Sequence, residues 1–164
     1  MADKNSFLKG ALILTVAGFI VKALGALYRI PLALLIKDEG MGLYQMAYPI
    51  YLILLSISTA GLPTAISKMV SEDAALGRYK NAYRIFRVSM LVLALVGLVL
   101  TVTLIASAEL LSVKVYQNPK AYYSIVSIAP AIFFVSVMSC FRGFFQGMQD
   151  MVPSAISQVV EQIG

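Results

Sequence analysis

Gly10–Ile36 reads GALILTVAGFIVKALGALYRIPLALLI, and within it only Lys22 and Arg29 carry charge. A membrane-crossing helix needs about 20 mainly apolar residues, so this stretch is long enough to span a bilayer. Lys22 and Arg29 are seven residues apart, close to two helical turns, and therefore project from one face. Gly18 and Gly25 complete that face, giving a Gly18–Lys22–Gly25–Arg29 stripe at i, i+4, i+7 and i+11. A charge inside a span costs about 2.5–3.5 kcal/mol on insertion scales, so it normally serves a function and faces protein or water.

Three further segments read the same way: Leu43–Ile66, Val88–Ala108 and Tyr122–Phe145. A fifth begins near Pro153 and is still apolar at Gly164. Over the 164 residues, 60% are hydrophobic and 13% charged, about half the charge of a soluble domain. The fold class is all-α integral membrane, a polytopic helix bundle. Four complete spans and part of a fifth lead us to expect residues 1–164 to be the N-terminal portion of a larger membrane protein.

The net charge of +5 is explained by topology rather than by nucleic acid. With the N-terminus in the cytoplasm, the inner side holds Lys4, Lys9, Lys68, Arg78, Lys80, Arg84, Arg87 and Arg142. The outer side holds Lys37, Lys114 and Lys120. That asymmetry follows the positive-inside rule and predicts a multi-pass protein of the bacterial cytoplasmic membrane. Lys22 interrupts the first apolar run just before a signal-peptidase-like Ala23–Gly25, which argues against a cleaved leader. A single cysteine, Cys140, excludes an internal disulfide framework. There is no histidine, phosphate-binding glycine loop or nucleophile elbow, so no enzyme, metal or cofactor is indicated.

The outer loop Lys37–Met41 is so short that the first two spans must be antiparallel neighbours. Tyr44, Tyr48, Tyr51 and Ser58 form a stripe on the second span. Tyr44 fits an interfacial aromatic belt. Tyr51 lies deeper, where its hydroxyl needs either a buried partner or a cavity. Pro31, Pro49 and Pro63 each remove a backbone donor and offer bending points. The connection Lys68–Arg87 is polar, its Asn81–Arg87 portion reads as an amphipathic helix leading into the third span, and Arg84 and Arg87 share a face suited to lipid headgroups. The third span is uncharged and reads as lipid-facing over much of its surface. Asn118-Pro119 signals a turn in the outer loop Glu109–Ala121. In the fourth span Ser136, Ser139 and Gly143 are small residues at helical spacing that permit close helix approach. Arg142 sits near its inner end, where snorkelling is the expected role.

Ser154, Gln158 and Glu161 are spaced on one face of the last segment. At 1.5 Å per residue Glu161 lies about 12 Å in and Lys22 about 20 Å, which allows a Lys22–Glu161 contact. A lysine stem covers only about 6 Å of the roughly 15 Å from Lys22 to the nearer edge, so snorkelling does not explain Lys22. Arg29 is nearer the outer edge. Two cations on a narrow glycine face suit an anionic ligand such as phosphate or diphosphate.

Two stretches carry a family resemblance. Ser58-Thr-Ala-Gly-Leu-Pro-Thr-Ala-Ile-Ser-Lys68 resembles a signature of oligosaccharide flippases of the stage V sporulation protein B type. Phe141-Arg-Gly-Phe-Phe-Gln-Gly-Met-Gln-Asp150, followed by Pro153-Ser-Ala-Ile-Ser-Gln-Val-Val-Glu-Gln162, is similar to another. Gly25-Ala-Leu-Tyr-Arg-Ile-Pro31 fits as well. These belong to the multidrug/oligosaccharidyl-lipid/polysaccharide exporter superfamily, with its lipid II flippase and MATE branches. The resemblance implies two helix bundles related by a pseudo-two-fold axis, of which this chain supplies part of the first. It implies flipping of a lipid-diphosphate-linked oligosaccharide or peptidoglycan precursor by alternating access. Lys22 and Arg29 would bind the diphosphate, with Tyr51 on the substrate path and Glu161 at an ion-coupling position. Lipid II flippases also carry arginine on the second helix, whereas Leu43–Ile66 has no cation. The alternatives are a MATE-like exporter of organic cations, which an aligned pair of cations would repel, a membrane fragment that does not transport, and a four-helix scaffold, which would need no buried charge.

Overall fold

The computed structural model describes residues 4–59 and 61–163, with side chains over 10–58 and 61–161. Lys4 and Lys9, two of the cations assigned to the inner side, therefore have no described side chain. The described residues form five α-helices: α1 (Lys4–Thr59), α2 (Leu62–Ala75), α3 (Tyr79–Leu110), α4 (Ala121–Gly147) and α5 (Val152–Ile163). Among the described residues there is no strand. Among the described residues three stretches are long and apolar enough to cross a membrane: Gly10–Ala75, Tyr79–Val115 and Ala121–Gly147. This is an all-α, multi-pass membrane protein.

The first of those stretches is 66 residues long, far more than one crossing requires. It is interrupted in two places. Lys37 leaves the helical region with φ 58° and ψ −176°, so one residue, rather than the loop Lys37–Met41, breaks α1. The second break is at Gly61, whose φ of 71° is open to glycine but costly for other residues. The segment expected as one span from Leu43 to Ile66 is therefore divided. Pro63 lies in the first turn of α2, where its missing N–H would have no helical partner anyway.

The polar connection expected over Lys68–Arg87 is almost wholly helical. α2 runs to Ala75, and α3 starts at Tyr79 after a tight cap at Gly77, φ 68°. Gly77 N–H donates to Ala74 O at 3.0 Å and Arg78 N–H to Asp73 O at 2.8 Å, which satisfies the last carbonyls of α2. The outer loop is likewise shorter than expected. α3 continues through a π-helical turn, Leu111–Val115, before Asn118 and Pro119 lead into α4.

The chain divides into two compact units. One comprises Met1–Leu32, Gly61–Ser89 and Cys140–Gly164; the other comprises Ala33–Ala60 and Met90–Ser139. In the first unit α4 packs on α2 through glycine. A Cβ at Gly143 would lie 2.7 Å from the Pro63 carbonyl oxygen, and one at Gly147 would lie 2.7 Å from that of Ser67. Nothing larger than hydrogen fits at either position. Phe86 of α3 fills the adjoining space against Phe141 and Phe144, with ring centroids 5.2 and 4.8 Å away.

In the second unit Ala47, Leu104, Ala108, Ile125, Ala129 and Ile132 form the buried core. Gly97 brings α3 close to α4, where a Cβ would fall 2.9 Å from Ser136 Cβ. Ser136 gives its proton to the Ile132 carbonyl at 2.6 Å and accepts from Ser58, whose hydroxyl oxygen is 2.5 Å away. Both serines are buried. A salt bridge of 2.5 Å joins exposed Lys120 and Glu39. Along α3, Leu93, Leu104 and Ala108 are buried at helical spacing. Leu91, Leu95, Leu98 and Val102, by contrast, are more than half exposed, as lipid-facing residues would be.

Candidate functional site

The Gly18–Lys22–Gly25–Arg29 stripe is placed by α1, an uninterrupted helix up to Lys37. Lys22 and Arg29 are both exposed, and neither makes a hydrogen bond or ion pair among the described residues. A Cβ added at Gly18 would meet nothing within 4 Å. The face is open.

The reason lies on the other side of the helix. Leu12, Ile13, Val16, Ala17 and Ile20 line an apolar cleft of about 490 Å³ with Ala155, Ile156, Val159 and Val160 of α5. At about 100° per residue, that set is centred about 180° from the glycine–cation stripe. Ala17 and Ala155 are both buried there, and a Cβ at Gly10 would lie 2.8 Å from Met151 Cγ. α1 thus uses its small and aliphatic residues to hold α5 and turns its cations away from it.

The same geometry corrects the expected Lys22–Glu161 contact. Glu161 forms an ion pair with Arg142 of α4, on a side of α5 about 165° from the face that meets α1. Arg142 Nε also donates to Ser157 Oγ at 3.0 Å. Ser157 in turn donates to the Ser154 carbonyl at 2.8 Å, and the Ser154 hydroxyl lies 3.5 Å from the Arg142 carbonyl. Arg142 does not snorkel. Its side chain is only 18% exposed and is held by α5, because a partially buried guanidinium needs acceptors for its fork of donors. Ser157 was missed in the sequence, where Ser154, Gln158 and Glu161 defined the stripe. Ser154, Ser157 and Glu161 at i, i+3 and i+7 were the available signal.

Tyr51 belongs to the second unit, where it is partly buried against the core. Its ring is 6.1 Å from Tyr48, which in turn stacks 5.5 Å from Tyr44. Pro31 and Pro49 both lie within α1, whose one non-helical residue is Lys37. Among the described residues no group of His, Cys, Asp and Glu could hold a metal ion.

A family model described as polysaccharide biosynthesis protein matches residues 7–164. The chain belongs to that family. Two Bacillus subtilis (strain 168) proteins are similar to it over nearly its whole length. Stage V sporulation protein B is 36% identical over 160 residues, covering 98% of this chain and 31% of that protein. Lipid II flippase MurJ is 35% identical over 167 residues, covering 97% and 31%. An uncharacterized membrane protein, YabM, from the same organism is 34% identical over 155 residues, covering 94% and 28%. The chain spans about a third of the length of these relatives. No solved structure matches it. For this polysaccharide biosynthesis family member, the Phe141–Gly147 motif has a packing role in the structure: its two glycines seat α4 on α2, and its arginine holds α5.

Proposed function

We propose that this chain forms part of the first bundle of a flippase that moves a lipid-diphosphate-linked saccharide or peptidoglycan precursor across the bacterial cytoplasmic membrane. It is a transporter rather than a catalyst, with its N-terminus in the cytoplasm. The observation that carries this reading is the open Gly–Lys–Gly–Arg face of α1, directed away from the helix that packs on α1. Lys22 and Arg29 supply ammonium and guanidinium donors seven residues apart, a separation suited to the oxygens of a diphosphate. Gly18 and Gly25 on the same face let a bulky anion approach the backbone. In alternating access the diphosphate stays on this grip while the lipid tail remains in the bilayer. Tyr51 contributes to the path of the saccharide. Glu161 is the ion-coupling group, its carboxylate available to a proton or cation in exchange for Arg142. Similarity to a lipid II flippase and a sporulation protein over nearly the whole chain supports the substrate class. An exporter of organic cations is disfavoured because the pair would repel its cargo.

Native mass spectrometry of the membrane-embedded chain tests this reading directly. Undecaprenyl diphosphate is expected to be retained, and undecaprenol, which has the tail but no charge, is not. Charged hydrogen bonds contribute about 1.5–3 kcal/mol each, so Lys22→Ala with Arg29→Ala should lower retention about a hundredfold or more. Equal retention of both lipids, or no loss in the double variant, would show that α1 does not bind a diphosphate.

A further inference from the structure

α5 is two-faced. Its apolar face, Ala155, Ile156, Val159 and Val160, lines the open cleft against α1, with Ala155 buried, and its polar face, Ser154, Ser157 and Glu161, lies on Arg142 of α4. α4 is itself seated on α2 by Gly143 and Gly147, whose contacts leave no room for adjustment. On the opposite side of α1 the cation face is open at Gly18. α5 therefore links α1 to α4: it meets α1 beside Gly10 and Ala17 and is held on α4 by a polar clasp.

We infer that Arg142, Ser157 and Glu161 are positioning residues for the Lys22–Arg29 face and act on it through α5. The inference rests on the proposed diphosphate grip for its functional meaning, but its geometry is independent of that reading. Arg142 suits the role because guanidinium presents a planar fork, one arm to Ser157 and the other to Glu161, which fixes α5 in rotation as well as in distance. A lysine would keep the charge and lose the second arm. The rotation matters because one helix carries both faces. A turn of α5 that released Glu161 would also move Met151 and Ala155 beside Gly10 and Ala17, and α1 would roll with it.

The test measures the distance between spin labels at Gly18→Cys, on the open face, and Arg84→Cys, on α3 in the same unit. Cys140 is fully buried and stays unlabelled. With the clasp intact one narrow distance peak is expected. Arg142→Ala and Glu161→Ala should each broaden and shift it, and Arg142→Lys and the reversed pair R142E/E161R, which keep an ion pair without the arginine fork at position 142, should each restore it in part. Integrity of the α1–α5 seam is read separately from a disulfide between Gly10→Cys and Met151→Cys. A Cβ at Gly10 would lie 3.8 Å from that of Met151, the usual separation in a disulfide. An unchanged distance peak in Arg142→Ala with the disulfide still forming overturns the inference. If Arg142→Ala no longer forms the disulfide, the reversed pair decides. Recovery of disulfide and peak together supports the inference; recovery of the disulfide alone, or of neither, overturns it. Retention of undecaprenyl diphosphate should fall about tenfold in Arg142→Ala, equivalent to about 1.4 kcal/mol, and return in part in the reversed pair. A chain that retains no undecaprenyl diphosphate in its native form refutes the grip, while the distance data still judge the clasp.

Discussion

Gly143 and Gly147 on α4 and Gly18 and Gly25 on α1 are alike in type and close in spacing, four residues apart in one pair and seven in the other. Their surroundings are opposite. On α4 the missing side chains are occupied by the α2 backbone, with the Pro63 and Ser67 carbonyl oxygens each 2.7 Å from where a Cβ would be. On α1 the space beyond Gly18 is empty. In a membrane, where apolar burial does little to join helices, glycine is first of all a means of close approach. A glycine that nothing approaches, on a face that carries two cations, calls for a different explanation. We read it as room for a ligand.

Substitutions that add one methyl group break this comparison most directly. Gly143→Ala should destabilise the first unit by about 2–3 kcal/mol, since backbone rather than a flexible side chain must give way. Unfolding in detergent, followed by circular dichroism, measures it. A smaller loss is expected at the serine contact in the second unit. Ser136→Ala removes the acceptor of the buried Ser58 hydroxyl and should cost about 1–2 kcal/mol. Ser58→Ala leaves Ser136 bonded to Ile132 and should cost nearer 0.6 kcal/mol, the average for such bonds in membranes. Smallest, and opposite in sign, is Gly18→Ala. With open space around it, the substitution should stabilise α1 by about 0.8–1.0 kcal/mol through helix propensity alone. Were Gly18→Ala to destabilise the chain as Gly143→Ala does, the contrast between the two stripes would disappear.

Much of this was legible before any coordinates. The helical class needed only the length of the apolar runs. The cation stripe needed only the period of the helix, because Lys22 and Arg29 share a face of any regular helix that contains them. The small residues of α4 also pointed to close packing, and the contacts at Ser136 and Gly143 are tight. Three features were not legible. A break at Lys37–Met41 was expected, but its narrowing to the φ and ψ of Lys37 alone is something a lysine in an otherwise helical context does not announce. The reach of α2 into the polar connection was hidden because charged residues fit equally well on an exposed helix and in a loop, whereas Asn81–Arg87 already read as a helix leading into the third span, as α3 is. The partner of Glu161 depended on how α5 is rotated about its axis, and depth arithmetic has no information on rotation.

Local periodicity and transfer energetics, which are properties of the sequence alone, determined that this chain crosses a membrane as helices and carries two cations on one apolar span. Only the tertiary structure decided which faces of those helices are used. Packing turned the Lys22–Arg29 face away from α5 and gave Glu161 to Arg142, because each helix has one rotation that satisfies both its apolar and its polar neighbours.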